Sequence, residues 1–434
     1  MFPPMQTKPL PGFRDFYPAD LALRAHIFRT WRSVAARYGF EEYDGPPLEP
    51  LELYTAKSGD EIVGQLYNFV DKGERGVALR PEMTPTLARM VAAQANGLKK
   101  PIRWFSIPQL FRYERQQRGR LREHFQLNCD LIGDAGPWSD AEIIALTVDI
   151  MRELGFTAAD VRVRLSDRRL LGEILGSLGL GGSHEALAHQ ALDKIGRAEY
   201  GPRKQALLDA GVSQGIIDRL EALRDLRDLD AIRRWFPSVQ TGPVAAVLEG
   251  LEAMDLAEFV DIDLTIVRGL AYYTGTVFEL FDAKKSLRAI CGGGRYDDLL
   301  KSIGGVDLPA LGFGMGDVVL GELLREHGMV KDHGGTIDVF VAAVTEDDLS
   351  DVRRLTHELR DANIRVEYPL GASSLRKQLA LADARRAQFA IVIGPDDRAR
   401  GEVMIKDLGG KSQESVALGS AVDYVKSRVP AIEC

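Results

Sequence analysis

The sequence predicts a mixed α/β fold of the α+β kind, and three observations carry that prediction. Two runs of strict period-two alternation flank an arginine-loaded loop between Arg103 and Gly133, the pattern of an antiparallel hairpin. From Ser166 to about Val244 the pattern changes to short helix-period segments broken by glycines. After residue 336 strand and helix patterns alternate, as in a small, separate α/β domain with a mixed sheet.

With 434 residues the chain is long enough for two or three domains with sizeable cores. Its composition, 45% hydrophobic and 27% charged with a mean hydropathy of −0.12, is that of an ordinary soluble globular protein. No run of 18 uncharged apolar residues occurs, and the start, MFPPMQTKPLPGFRD, has no hydrophobic signal core. No membrane partner is expected, and the expected location is cytoplasmic. Cys129, Cys291 and Cys434 are far apart, which suggests neither a disulfide framework nor a cysteine zinc site. The histidines form no HExxH pair, so no protein cage for a metal is expected. A net charge of −8 argues against indiscriminate binding to nucleic acid, so RNA contact would have to come from local basic patches.

In chain order, Asp20 to Tyr38 read as an amphipathic helix with Ile27, Phe28, Trp31, Val34, Ala35 and Tyr38 on one side, for a core or a subunit interface. Leu79 to Ala92 read as a strand running into a helix, with Pro85 near the first turn. Capping preference alone would make Thr84 the N-cap and leave Glu82 in solvent. On the second strand of the hairpin Phe125, Leu127, Cys129 and Leu131 point one way and Gln126, Asn128 and Asp130 the other. That polar row on a rigid sheet needs a ligand or water to satisfy it. The loop brings Arg112, Arg115, Arg118, Arg120 and Arg122 together with Glu114. Guanidinium groups so close repel one another unless an anion with several oxygens lies between them. The hairpin therefore suits a polyphosphate above and a small polar molecule beside it.

Further on, TVFEL is a strand, and Ala289 to Leu300 read as a strand, a glycine-rich turn and a helix start. Pro309 to Leu324 read as a strand and helix whose GFGMGD lacks dinucleotide-binding spacing. The C-terminal part reads IDVFVAAV, a helix with Leu349, Val352, Leu355 and Leu359, then IRVEY, a helix over SSLRKQLALADARRA, and the strands QFAIVIG and EVMIKDL. Arg376, Lys377, Arg385 and Arg386 form its densest basic cluster, either a solvated helix face or an RNA contact.

FRYERQQRGRLREHFQ closely resembles the second signature motif of class II aminoacyl-tRNA synthetases and, in its details, of the histidyl-tRNA synthetases. LRPEMT and RGLAYYTG resemble two further elements of that family, and Pro46 with Glu49 resemble its first motif, which forms a homodimer interface. The resemblance implies an antiparallel catalytic domain in two segments, 1–165 and 246–327, interrupted by a helical insertion at 166–245 that reaches towards the tRNA acceptor stem. A linker at 328–335 and an anticodon-binding domain at 336–434 would follow.

It also implies ATP-dependent activation of L-histidine and transfer to the 3′ end of its tRNA, with magnesium accompanying the nucleotide. By resemblance, Arg112 and Arg268 hold the α-phosphate, Arg120 and Arg122 approach the pyrophosphate side, and Glu114 meets adenine or the tRNA end. Glu82 and Thr84 contact the amino group of histidine, with Met83 between them lining the site by its backbone. Gln126, Tyr272 and Tyr273 border the histidine pocket, where Asp130 is a shorter stand-in for the more frequent Glu.

Two departures stand out. Ala271 replaces the usual Asp, and no Arg occupies 317, 318 or 319, where most class II enzymes have one on the ATP. The GFGMGD form resembles that of cyanobacterial and plastid histidyl-tRNA synthetases. Two other readings remain at this level. One is a non-catalytic, synthetase-like regulatory subunit of ATP phosphoribosyltransferase. The other is a synthetase for threonine, proline or glycine, which would share the C-terminal domain but not RGLAYYTG.

Overall fold

A computed structural model describes residues 7–55, 63–115, 117–267, 272–284, 287–330, 337–371 and 373–429. The chain divides into two compact units, Met1–Val330 and Lys331–Cys434. Among the described residues no helix is long and apolar enough to cross a membrane.

The first unit is organised on a nine-stranded sheet. Its strands are β1 (Glu41–Glu42), β5 (Ile102–Ser106), β6 (Gln109–Phe111), β7 (Glu123–Ile132), β8 (Val161–Asp167), β9 (Val260–Ile262), β10 (Thr276–Asp282), β11 (Cys291–Arg295) and β12 (Ala310–Gly316). Their order is β1-β5-β7-β12-β11-β10-β8-β9, with β6 also paired to β7. All pairings are antiparallel except β1 with β5 and β8 with β9 at the two edges. A small antiparallel sheet, β2 (Leu48–Pro50), β4 (Gly76–Leu79) and β3 (Asn68–Val70), stands beside it.

The predicted first helix is Pro18–Arg37, and it buries Ile27, Trp31, Val34 and Ala35. With the helices Pro137–Glu153 and Asp317–Glu326 it covers one face of the sheet, where Leu127, Cys129 and Leu131 of β7 are fully buried. The alternation of β7 therefore has its predicted physical cause: one face is core, and a slip of one residue would expose all of it. Between β8 and β9 the chain is helical, from Arg168–Ser177 to Gly242–Ala253, and its leucines join the same core.

One sequence reading is corrected here. The glycines of CGGGR are not in a turn but within β11. A Cβ on Gly293 would lie 2.6 Å from the carbonyl oxygen of Gly312 and 2.8 Å from Phe278, so these glycines let neighbouring elements close up against a central strand.

The second unit is a five-stranded mixed sheet, β14-β13-β15-β16-β17. Parallel pairings join β13 (Val339–Ala343) to β14 (Val366–Glu367) and β15 (Phe389–Ile393). β16 (Glu402–Asp407) and β17 (Ser412–Ala417) are antiparallel. Arg376, Lys377, Arg385 and Arg386 are all exposed on it.

Candidate active site

Two small cavities adjoin on the polar face of the sheet. The first, of about 160 Å³, is lined by Glu82, Thr84, Gln126, Asn128, Asp130, Tyr272, Tyr273 and Tyr296, with glycines 292, 312 and 314 as floor. The second, of about 140 Å³, is lined by Glu114, Arg120, His124, Ile290, Val318 and Val319. Arg112 and Gln126 line both.

The strand period explains the first cavity. Residues 126, 128 and 130 stand on one side of β7, and opposite them β12 presents only backbone, pairing Gly316 with Gln126, Gly314 with Asn128 and Gly312 with Asp130. A side chain at 314 would run into Gln126 at 2.7 Å, and one at 312 would collide with the carboxylate of Asp130. Asp130 is buried and accepts a hydrogen bond from the hydroxyl of Tyr296. Burial pushes its carboxyl up to about 7, against the opposing pull of the Tyr296 hydrogen bond.

Glu82 is 4% exposed, not solvated, and accepts from the Tyr272 hydroxyl at 3.2 Å. Thr84 is the first residue of the helix Thr84–Gln94, which Met83 precedes without a side-chain cap, so the capping role is not taken and Thr84 faces the cavity instead. Tyr272 meets Tyr273 and Tyr296 edge-on at 5.4 and 5.9 Å. The result is a slot with aromatic walls and a carboxylate at two points, Glu82 and Asp130.

Arg112 occupies the junction because its Nε donates to the carbonyl of Pro81 at 2.8 Å, which fixes the guanidinium between the cavities. In the second cavity Arg120 stands 2.5 Å from the buried Glu114. His124 is held neutral: burial, then Arg112, Arg14 and Arg120, bring its imidazole down to about 3. Burial is the larger cause and would disfavour any charge; the lesser part, from Arg112, Arg14 and Arg120, reflects the guanidinium groups gathered around this cavity.

Three expectations for individual residues are affected. Arg122 lines neither cavity among the described residues. Its guanidinium lies on the ring of Tyr113 at 4.0 Å, and its Nε donates to the carbonyl of Glu114 at 3.2 Å. Met83 also lies off the cavity, with its side chain fully buried and its carbonyl accepting from the Leu87 N–H at 3.0 Å. Arg268, together with Ala271, lies outside the described residues. Among the lining residues that escaped the sequence reading, two are polar. His124 continues the polar face of β7 by the same period, and Tyr296 directly follows the glycine strand.

A large antiparallel sheet carrying a polar pocket and an arginine-lined pocket side by side is the arrangement of a class II aminoacyl-tRNA synthetase. Residues 12–316 match the family model described as Histidyl-tRNA synthetase, and residues 338–428 match Anticodon binding domain. The chain is 45% identical over 423 residues to a protein of Opitutus terrae named Histidine–tRNA ligase, covering 94% of this chain and 95% of that one. It is 38% identical to Histidine–tRNA ligase, chloroplastic/mitochondrial, of Arabidopsis thaliana, covering 95% of this chain and 86% of that one. In fold it resembles the crystal structure of histidyl-tRNA synthetase from Nostoc sp. PCC 7120, with a TM-score of 0.84, 24% identity and coverage of 98% of this chain and 100% of that one. The chain belongs to the histidyl-tRNA synthetase family. The regulatory-subunit alternative has no better support than this.

Proposed function

We propose that the two cavities bind L-histidine and ATP, and that Arg112 stands where they react. The observation that carries this reading is the position of Arg112, a lining residue of both cavities, anchored on Pro81. In the activation step a carboxylate oxygen of histidine forms a bond to the α-phosphorus while the bond to the pyrophosphate oxygen breaks. Negative charge grows on the phosphoryl oxygens, and a preorganised guanidinium at that point stabilises it. Arg268 supplies the second cation in this reading. The histidyl group then passes from the adenylate to the 3′ end of tRNA.

The slot orients the amino acid. Glu82, Gln126 and Thr84 offer acceptors for its ammonium group, and Asp130, steadied by Tyr296, accepts from the imidazole N–H. An isosteric side chain lacking that N–H would leave the Asp130 carboxylate with only its Tyr296 hydrogen bond in a buried site, which is the source of selectivity. Glu114 and Arg120 border the nucleotide. Among the described lining residues Glu114 is the one carboxylate, and it is paired with Arg120. In this reading magnesium accompanies the phosphates of ATP as part of the substrate. In the same reading residues 166–245 form an insertion within the catalytic domain, residues 336–434 bind the anticodon, and the enzyme works as a cytoplasmic homodimer.

The test is histidine-dependent ATP–pyrophosphate exchange. Arg112→Ala and Arg268→Ala should stay folded by circular dichroism and lose exchange. Near wild-type exchange in both would refute the assignment, and stimulation of the wild type by another amino acid would move the substrate.

A further inference from the structure

In the binding mode proposed, Glu82, Thr84, Gln126 and Asp130 each take a group of the bound histidine, which leaves one polar side chain of the slot, Asn128, without one. Asn128 is 6% exposed and stands on β7 between Gln126, which borders both cavities, and Asp130 at the far end. Its partner on β12 is Gly314, so no side chain of that strand covers it. A primary amide has two donor hydrogens and two acceptor lone pairs. Here one is spent: Nδ2 donates to the carbonyl of Gln126 at 3.1 Å. Because a carbonyl only accepts, that bond also fixes which end of the amide is the nitrogen. Among the described residues neither the second Nδ2 hydrogen nor Oδ1 has a protein partner. An amide buried in a pocket with most of its capacity unspent needs a ligand or water to satisfy it.

The spacing of Asn128 from Asp130 matches an imidazole. Alternate residues of a strand share a face and stand about 6.6 to 6.8 Å apart. A five-membered ring that makes a hydrogen bond of about 2.9 Å at each of two nitrogens separated by one carbon holds its two partner atoms about 7 to 8 Å apart. Asn128 and Asp130 therefore bracket such a ring from end to end. Once the ring gives its N–H to Asp130, its other nitrogen carries a bare lone pair and needs a donor. Tyr272 and Tyr296 have committed their hydroxyl hydrogens to Glu82 and Asp130, and Gln126 and Thr84 belong to the ammonium end. With the substrate carboxylate at Arg112 and Gln126, the side chain runs along β7 away from that junction. The nitrogen nearer its root, Nδ1, then comes to Asn128, and Nε2–H to Asp130.

We propose that Asn128 donates its second Nδ2 hydrogen to Nδ1 of histidine, so that β7 reads both ring nitrogens, one through Asn128 and the other through Asp130. Asn128 is then a specificity-determining residue in direct contact with the substrate. This rests on the reading of the slot as the histidine site. Tyr273 also borders the slot, and its hydroxyl is the competing donor, so the test has to separate the two.

The probe is β-(pyrrol-3-yl)alanine, which keeps the N–H for Asp130 and puts a C–H in place of Nδ1. Dissociation constants for it and for L-histidine are measured by titration calorimetry on the full-length wild type, Asn128→Ala, Asn128→Leu, which keeps the bulk, and Tyr273→Phe, with histidine-dependent pyrophosphate exchange alongside. The wild type should bind histidine about 5- to 20-fold more tightly than the analogue. Both Asn128 variants should lose that margin by weakening histidine, while the analogue changes by less than about twofold. Loss of packing alone weakens both ligands alike and cannot produce this result. Equal weakening of both ligands, or an unchanged preference for histidine, overturns the proposal. Loss of the preference in Tyr273→Phe with the preference kept in Asn128→Ala also overturns it and assigns Nδ1 to Tyr273. A wild type that neither binds histidine nor shows histidine-dependent exchange would instead overturn the functional reading on which it rests.

Discussion

The hydroxyl of Tyr296 donates its hydrogen to the carboxylate of Asp130 at the floor of the amino-acid slot, and both groups are buried. The pair joins β7 to the residue after β11 across the intervening β12. Tyr296→Phe leaves the carboxylate without that donor, at a cost of about 1–3 kcal/mol. The KM for histidine should rise about 10- to 100-fold, with a smaller change in kcat, measured by pyrophosphate exchange. Because the lost bond favoured the ionised acid, raising the pH by one unit should recover part of the loss.

Asp130 also sets a pH dependence. Its carboxyl is raised by burial to about 7 in the fold, from an ordinary aspartate value of 3.8. The folded protein therefore favours the protonated acid. The stability this gives is complete below about pH 4 and is lost as pH rises through about 7. Asp130→Asn should flatten the fall in melting temperature across that window in the absence of ligand. The groups facing Asp130 are Tyr296 and Tyr43, both with pKa values raised well above the ordinary phenol value, so neither titrates there. Ionised Asp130 is the better acceptor for an imidazole N–H. The KM for histidine should accordingly fall as pH rises through about 7 in the wild type, and the Asn variant should lose that step.

These residues also mark how far the sequence could be read. β7 was legible because one of its faces is core, which forces the alternation of Leu127, Cys129 and Leu131 with Gln126, Asn128 and Asp130. The helix Pro18–Arg37 was legible for the same reason at the helical period. CGGGR was not, because local rules read glycines as a turn, whereas here close approach of Gly312 and Phe278 demands them inside a strand. β17 and the helix Pro395–Arg400 were missed because β17 is almost wholly exposed and the helix buries nothing, so neither carries a periodic signal. In the site, the period of β7 put Gln126, Asn128 and Asp130 on one face, whereas capping preference left Glu82 in solvent and only the resemblance brought it to the pocket. The fate of each arginine depended on partners distant in sequence or on local aromatics: Glu322 and Glu326 for Arg118, Tyr113 for Arg122.

Gly312 is required by contact, not by a turn. A Cβ there would stand 2.6 Å from the carbonyl of Cys129 and against the carboxylate of Asp130. Gly312→Ala overpacks the sheet and should cost about 1–3 kcal/mol. It should also displace Asp130, so the KM for histidine should rise more than the KM for ATP. Chemical denaturation and exchange kinetics measured together test both, and a neutral result in both would mean that β12 shifts to make room.

The strand floor of the slot is held from behind by one buried cation. Arg295, at the end of β11, is 1% exposed and donates to Asp140 at 2.6 Å, to Ser139 Oγ at 3.0 Å and to the carbonyls of Asp134 and Gly136 at 2.9 and 3.1 Å. These bonds fasten the N-terminal end of the helix Pro137–Glu153 to the sheet. Arg295→Met would leave Asp140 buried without its partner, a loss of about 3–5 kcal/mol. For a unit of this size that should lower the melting temperature on the order of 10 °C. Arg295→Lys should rescue little, because one ammonium cannot reproduce a planar fork reaching five groups, these four and the carboxylate of Asp297. Asp140→Asn should cost less than Arg295→Met, since it keeps an oxygen for the guanidinium and removes an acid whose pKa burial already raises. Thermal melts of the three variants order these costs, and an Arg295→Lys protein as stable as wild type would remove the fork from the argument.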